Sequence, residues 1–224
     1  MATKPAVDRT QAGVVEAQFA RVANAGSARH PQLAALLAAS GPNAARDLAD
    51  AVHLLCNLYG RHPGLIDLAL RACAAGASRD WLKDAAESFE RERLYLVRLT
   101  SAVGPLPSTA GAAETEAVLL AQRHALETLA TSERRGCALG AATALVEDWR
   151  ALRRLLDRAA DRAGLDVPGC TLPDEGSVAL AIQAGADTPG AERALAFGSE
   201  QLLLQHRGLF DLLEARAEAR DRFD

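Results

Sequence analysis

Apolar residues return at helical spacing in one segment of this chain after another: Val15, Phe19 and Val22; Leu48, Val52, Leu55 and Tyr59; Leu145, Trp149, Leu152 and Leu156; Leu195, Leu202, Leu209 and Leu213. Steps of three and four place such residues on one face of a helix. The raw material of a sheet is scarce, because Ile occurs only at Ile66 and Ile182 and aromatic residues make up 4% of the 224 residues. β-Branched and aromatic side chains are what a pleated, half-buried surface favours. The expectation is an all-α protein without a sheet, with a core of Leu, Ala and Val.

Glycine and proline divide the chain. Periodicity predicts helices over about 10–25, from Pro31 to Gly41-Pro42, over 43–59, 63–73, 78–103, 113–134, 137–163 and 178–184, and from Pro189 to about Arg220. Residues 113–163 read equally as two helices or as one rod kinked at Gly136. Residues 1–8 read as a loose arm, and 9–224 as a single domain, a bundle of long and short antiparallel helices in a haem-oxygenase-like or ferritin-like layout. Its linkers fall near 104–112 and 164–176, where Pro105, Pro107, Pro168 and Pro173 stand.

The formal net charge is −4, and no basic run is long enough to neutralise successive phosphates, so no nucleic-acid partner is expected. No apolar run approaches the roughly 20 residues that span a bilayer, so no membrane partner is expected either. Four cysteines without C-x-x-C spacing and an N-terminus without an apolar signal core suggest a reduced, cytoplasmic protein. Alternating charges such as Glu90-Arg91-Glu92-Arg93 read as a solvated helix face.

One phrase occurs twice, His62-Pro63-Gly64-Leu65-Ile66-Asp67-Leu68 and His206-Arg207-Gly208-Leu209-Phe210-Asp211-Leu212. His206 falls on the apolar stripe of the last helix, and a buried imidazole needs partners. If the two phrases meet in the bundle, His62, Asp67, His206 and Asp211 form a polar centre able to grip a ligand. Otherwise His62 serves a helix start and His206 is a satisfied core histidine.

His53 is a further candidate, in a D-x-x-H with Asp50, although it shares a polar face with Arg46 and Asn57 that favours solvent. His124 and Glu127 form an H-x-x-E. A di-iron bundle wants Glu-x-x-His on two helices, and this chain has none, so no metal site is assigned and the cofactor stays open. Walker-type and nucleophile-elbow motifs are absent, and no catalytic residue is named.

The segments Gly104 to Thr109 and Ala196 to Leu212 resemble an uncharacterised family of all-helical bacterial proteins of about this length. That likeness implies a helical fold and attaches no function. In layout alone the chain is similar to haem-oxygenase-like and TenA-like bundles, which implies an internal pocket; the haem-ligating and thiaminase residues of those families have no assignable positions here. Two functional readings follow. One is a small-ligand-binding or protein-interaction domain without its own catalytic constellation, self-associating through an Ala/Leu face as a homo-oligomer. The other is a haem-oxygenase-like or ferritin-like enzyme, in one form metal-dependent, with a pocket lined by His53, His62, His206 and neighbouring acids.

Overall fold

The structure, a computed structural model, describes residues 5–222. It contains α1 (Pro5–Ala25), a 3-10 turn (Ser27–Arg29), α2 (Pro31–Ala38), α3 (Pro42–Tyr59), α4 (Leu65–Ala72), α5 (Ala77–Ala102), α6 (Ala112–Ala130), α7 (Cys137–Ala163), α8 (Glu175–Gly185) and α9 (Pro189–Asp221), with no strand among the described residues. The all-helical expectation is met, and each of the expected helices has its counterpart. Proline occupies the first turn of α2, α3 and α9, where its missing N–H costs nothing. His30, Asp174 and Thr188 accept backbone N–H bonds at the starts of α2, α8 and α9.

Several boundaries differ. α1 begins at Pro5 rather than near Thr10, so it takes in residues 5–8 of the expected arm, and residues 1–4 lie outside those described. α6 stops at Ala130, four residues short, and α7 starts afresh after Gly136, which is left-handed at φ 98°. Residues 113–163 are therefore two helices. Ser78 does not cap α5; Gly76 holds that position, and the Ser78 hydroxyl donates to the Ala181 carbonyl.

α7 is the axis of the molecule. Its residues 139–146 are all buried, so neighbours surround it on every side. α9 lies closest, and small residues permit the approach: a Cβ on Gly140 would stand 2.0 Å from the Leu195 carbonyl oxygen, and one on Gly198 would stand 2.0 Å from that of Cys137. The Ser199 hydroxyl donates to the Gly140 carbonyl (3.0 Å), and Gln18 of α1 donates to Ser199 and to Thr143, stitching three helices at this crossing. One apolar cluster runs from Val14 through Leu55, Leu96, Trp149 and Ile182 to Leu213.

Both linkers are held by buried arginines. Arg216 and Arg220 of α9 chelate Asp50 of α3, at 2.7 and 2.6 Å, and reach across to the Pro107 carbonyl and the Thr109 hydroxyl. Arg153 of α7 bonds Glu92 of α5 at 2.7 Å, Asp157 at 2.7 Å and the Pro168 carbonyl, while its guanidinium lies over the Tyr95 ring. Arg150 adds a bond to the Pro173 carbonyl at 2.6 Å. These networks correct two expectations. Asp50 is fully buried rather than on a solvated face, and Glu92 is buried although it sits in an alternating charge run; only its neighbours Glu90 and Arg93 form the expected outer pair.

Candidate functional site

Three groups from distant parts of the chain meet at His206. The ring is fully buried; Nδ1 lies 2.6 Å from Asp148 Oδ2 of α7, and Nε2 faces the Tyr59 hydroxyl of α3. Asp148 also accepts from the Ser27 backbone N–H (2.8 Å) and hydroxyl (2.5 Å). Gly26 leaves room for that carboxylate, since a Cβ there would stand 2.5 Å from Asp148 Oδ1.

The protonation pattern follows from the donors. Burial alone would raise the Asp148 carboxyl, but the hydrogen bonds it accepts from His206 and from the Ser27 hydroxyl and backbone N–H together hold it below the usual value. An ionised carboxylate only accepts, so Nδ1 carries the imidazole proton. Burial, reinforced by the charge of Asp148, pushes the Tyr59 phenol well above its ordinary pKa, so it stays protonated and donates to Nε2. Trp149 meets the Tyr59 ring edge-on, with centroids 5.2 Å apart, and its indole N–H donates to Glu92 Oε2 at 3.0 Å. Burial raises the Glu92 carboxyl, against the pull of its bonds to Trp149 and Arg153.

The sequence-expected residues do not assemble into one centre. His62 is exposed and pairs with Asp67 of its own phrase at 3.3 Å, while Asp67 also accepts the Gly64 N–H as α4 begins. Asp211 points outward to His30, at 3.0 Å. Both His206 nitrogens are taken by Asp148 and Tyr59, neither belonging to a repeated phrase. His53 is half-buried and donates to the Gly104 carbonyl at 2.8 Å, serving the first linker. Its D-x-x-H partner Asp50 is taken by Arg216 and Arg220, and His124 is exposed. Sequence reasoning placed Tyr59 and His206 on inner faces and missed Asp148 and Ser27. The signal for Asp148 was present: it stands between Leu145 and Leu152, an acid on an apolar stripe.

His30, Asp211 and Glu214 bring three potential ligand atoms within 4.8 Å of one another at the rim of a surface cavity of about 410 Å³. His30 Nδ1 accepts the Gln32 N–H at 3.1 Å as the cap of α2. The neutral ring then carries its proton on Nε2, the atom that faces Asp211 and that a metal would need bare. Metal at this rim would cost the cap.

Larger, at about 520 Å³, is a cavity where the α4–α5 turn, the α6–α7 turn and the end of α8 converge. Ala69, Leu82, Ala138 and Leu139 form its apolar wall, with Cys73, Ser132, Arg134 and Arg135 beside them. Arg135 pairs with Asp187 at 2.5 Å, and burial raises the Cys73 thiol, with Arg79 and Arg135 pulling the other way.

Fold and interior together define an all-α bundle whose long helices are cross-linked by buried polar networks. The chain belongs to the DUF6975 family, a family of unknown function, whose model matches residues 22–221. No curated protein matches it, and no solved structure does. Among the described residues no helix is long and apolar enough to cross a membrane.

Proposed function

We propose that this protein is a small-molecule-binding bundle without catalytic chemistry of its own, and that the ligand occupies the cavity between the α4–α5 and α6–α7 turns. The observation that carries this reading is the cavity itself. Its volume of about 520 Å³ falls in the range of small-molecule pockets, and its wall is mainly apolar with a few polar groups at one side. The complementary ligand has a compact apolar body and an acceptor group, preferably a carboxylate, to meet Arg134 and Arg135. His62, Asp67, His206, Asp211 and His53 do not line this space, and the His206 network is a fully partnered element of the core. We also read the continuous core as that of a single domain.

The test is ligand-observed NMR with a panel of apolar carboxylic acids and their neutral amides, on the native chain and on Ala138→Trp, whose indole would fill the cavity. Acids should bind the native chain, bind the variant at least about tenfold more weakly, a difference of about 1.4 kcal/mol, and slow alkylation of Cys73 read by peptide mass spectrometry. Equal binding to both chains, or no slowing at Cys73, would reject the site.

A further inference from the structure

We propose that Tyr59 is a redox-active tyrosine, able to give up one electron while passing its phenolic proton to His206, and that the buried Tyr59–His206–Asp148 array makes that step reversible. This rests on different residues from the ligand pocket and stands without it.

Oxidising a phenol makes it a strong acid, so its ease of oxidation depends on a base already at the hydroxyl. Here the base is built in. Tyr59 donates to His206 Nε2, and that nitrogen is bare because the imidazole proton is committed to Asp148 through Nδ1, at 2.6 Å. Asp148, with the two Ser27 donors behind it, is the counter-charge for the imidazolium that forms. His206 is fully buried, and Tyr59 and Asp148 are 5% and 1% exposed, so the acceptor at the phenol is His206 rather than bulk solvent.

The balance is simple. A one-electron oxidant at the surface, of the class of a ruthenium(III) polypyridyl complex, takes one electron; the Tyr59 O–H bond breaks and an Nε2–H bond forms on His206. The products are a neutral phenoxyl radical, an imidazolium paired with Asp148, and the oxidant reduced by one electron. Return of an electron drives the proton back.

Two features give the electron a route. Tyr59 lines a cavity of about 40 Å³ together with the exposed Arg61 and Glu127, which places the residue near the surface. On its inner side it meets Trp149, a second oxidisable ring, whose N–H already rests on a carboxylate, Glu92, at 3.0 Å. A tyrosine placed only for packing requires neither the bare imidazole nitrogen at its hydroxyl nor an indole with its own proton acceptor against its ring.

The experiment is laser flash-quench oxidation of the full chain with photogenerated tris(bipyridine)ruthenium(III), followed by transient absorption and freeze-quench electron paramagnetic resonance. The native chain and Tyr95→Phe should both yield a neutral tyrosyl radical that outlives that of free tyrosine and forms at a rate independent of buffer-base concentration. Tyr59→Phe, which removes only the hydroxyl, should lose that signal. In His206→Gln, radical formation should become slower and dependent on buffer base. The proposal is overturned if Tyr59→Phe retains the native radical yield, if the signal disappears in Tyr95→Phe instead, or if native radical formation follows buffer-base concentration. Should His206→Gln fail to fold, the tyrosine variants and the buffer dependence of the native chain decide the matter.

Discussion

His206 and Asp148 meet as donor and acceptor in the buried interior, and most of the residue-scale chemistry of this protein has that form. Replacing one partner strands the other. Asp148→Ala leaves the His206 Nδ1–H and the two Ser27 donors without their acceptor and should cost about 1–3 kcal/mol, the usual cost of an unsatisfied buried donor, measured by urea unfolding at neutral pH. Because its folded pKa lies below the ordinary value of 3.8, the stability that Asp148 contributes is present above that value and is lost as pH falls through the lower folded one. The gap between native chain and variant should therefore persist from neutral pH down to about 4 and close only below it; a gap that closes near pH 6 would contradict the assignment. The His30 rim gives a second prediction at this scale. With Nδ1 engaged as a cap, zinc or manganese at tenfold excess should leave the melting temperature unchanged and stay below a tenth of an equivalent after dialysis, measured by calorimetry and elemental analysis. One equivalent bound after dialysis would show that the ring gives up its cap for metal.

At the scale of elements, the α7–α9 crossing and the linkers carry the specific demands. The same substitution should change sign with position. Gly140→Ala and Gly198→Ala force a Cβ into opposing backbone, which cannot yield like a flexible side chain, and should each cost about 1–3 kcal/mol. Gly13→Ala, inside α1 with nothing within 4 Å of the added Cβ, should gain about 0.5–1 kcal/mol from helix propensity. Chemical denaturation of the three variants checks all of this, and a neutral Gly140→Ala would mean a looser crossing. Asp50→Ala leaves Arg216 and Arg220 without their buried counter-charge and frees the linker they grip, so limited proteolysis should cut within residues 104–111 well before it cuts the native chain. The elements themselves were largely legible, since Pro31, Gly41-Pro42 and Pro189 act on the nearest turn of backbone. The end of α6 was not, because no glycine or proline stands between Ala130 and Arg135 and the helix stops in a turn there.

For the whole molecule, one apolar cluster drawing on helices from α1 to α9 should melt as one unit. Calorimetric and van't Hoff enthalpies should agree, with a heat-capacity increment of about 3 kcal/mol/K at the usual 12–15 cal/mol/K per residue; two resolved transitions would divide the chain into separate domains. Helix content, the order of helices, the inner faces of α3, α7 and α9 and the position of His206 on its stripe were all readable from the amino-acid sequence, because periodicity, capping and proline geometry are local. The burial of Glu92, Arg216 and Arg220 was not, since Glu92 stands in an alternating charge run and the two arginines stand among Glu214, Glu218 and Asp221. What the tertiary structure alone decided is who answers whom. His206 meets Asp148 and Tyr59 rather than the residues of its repeated phrase; Asp50 meets two arginines more than 160 residues away; the cavity opens where three chain turns converge. A buried polar group must find a partner, and for His206 on its apolar stripe the sequence announces that need. Which one it finds depends on the rotation and crossing of whole helices, set by close approaches such as Gly140 against Leu195 that no local pattern encodes.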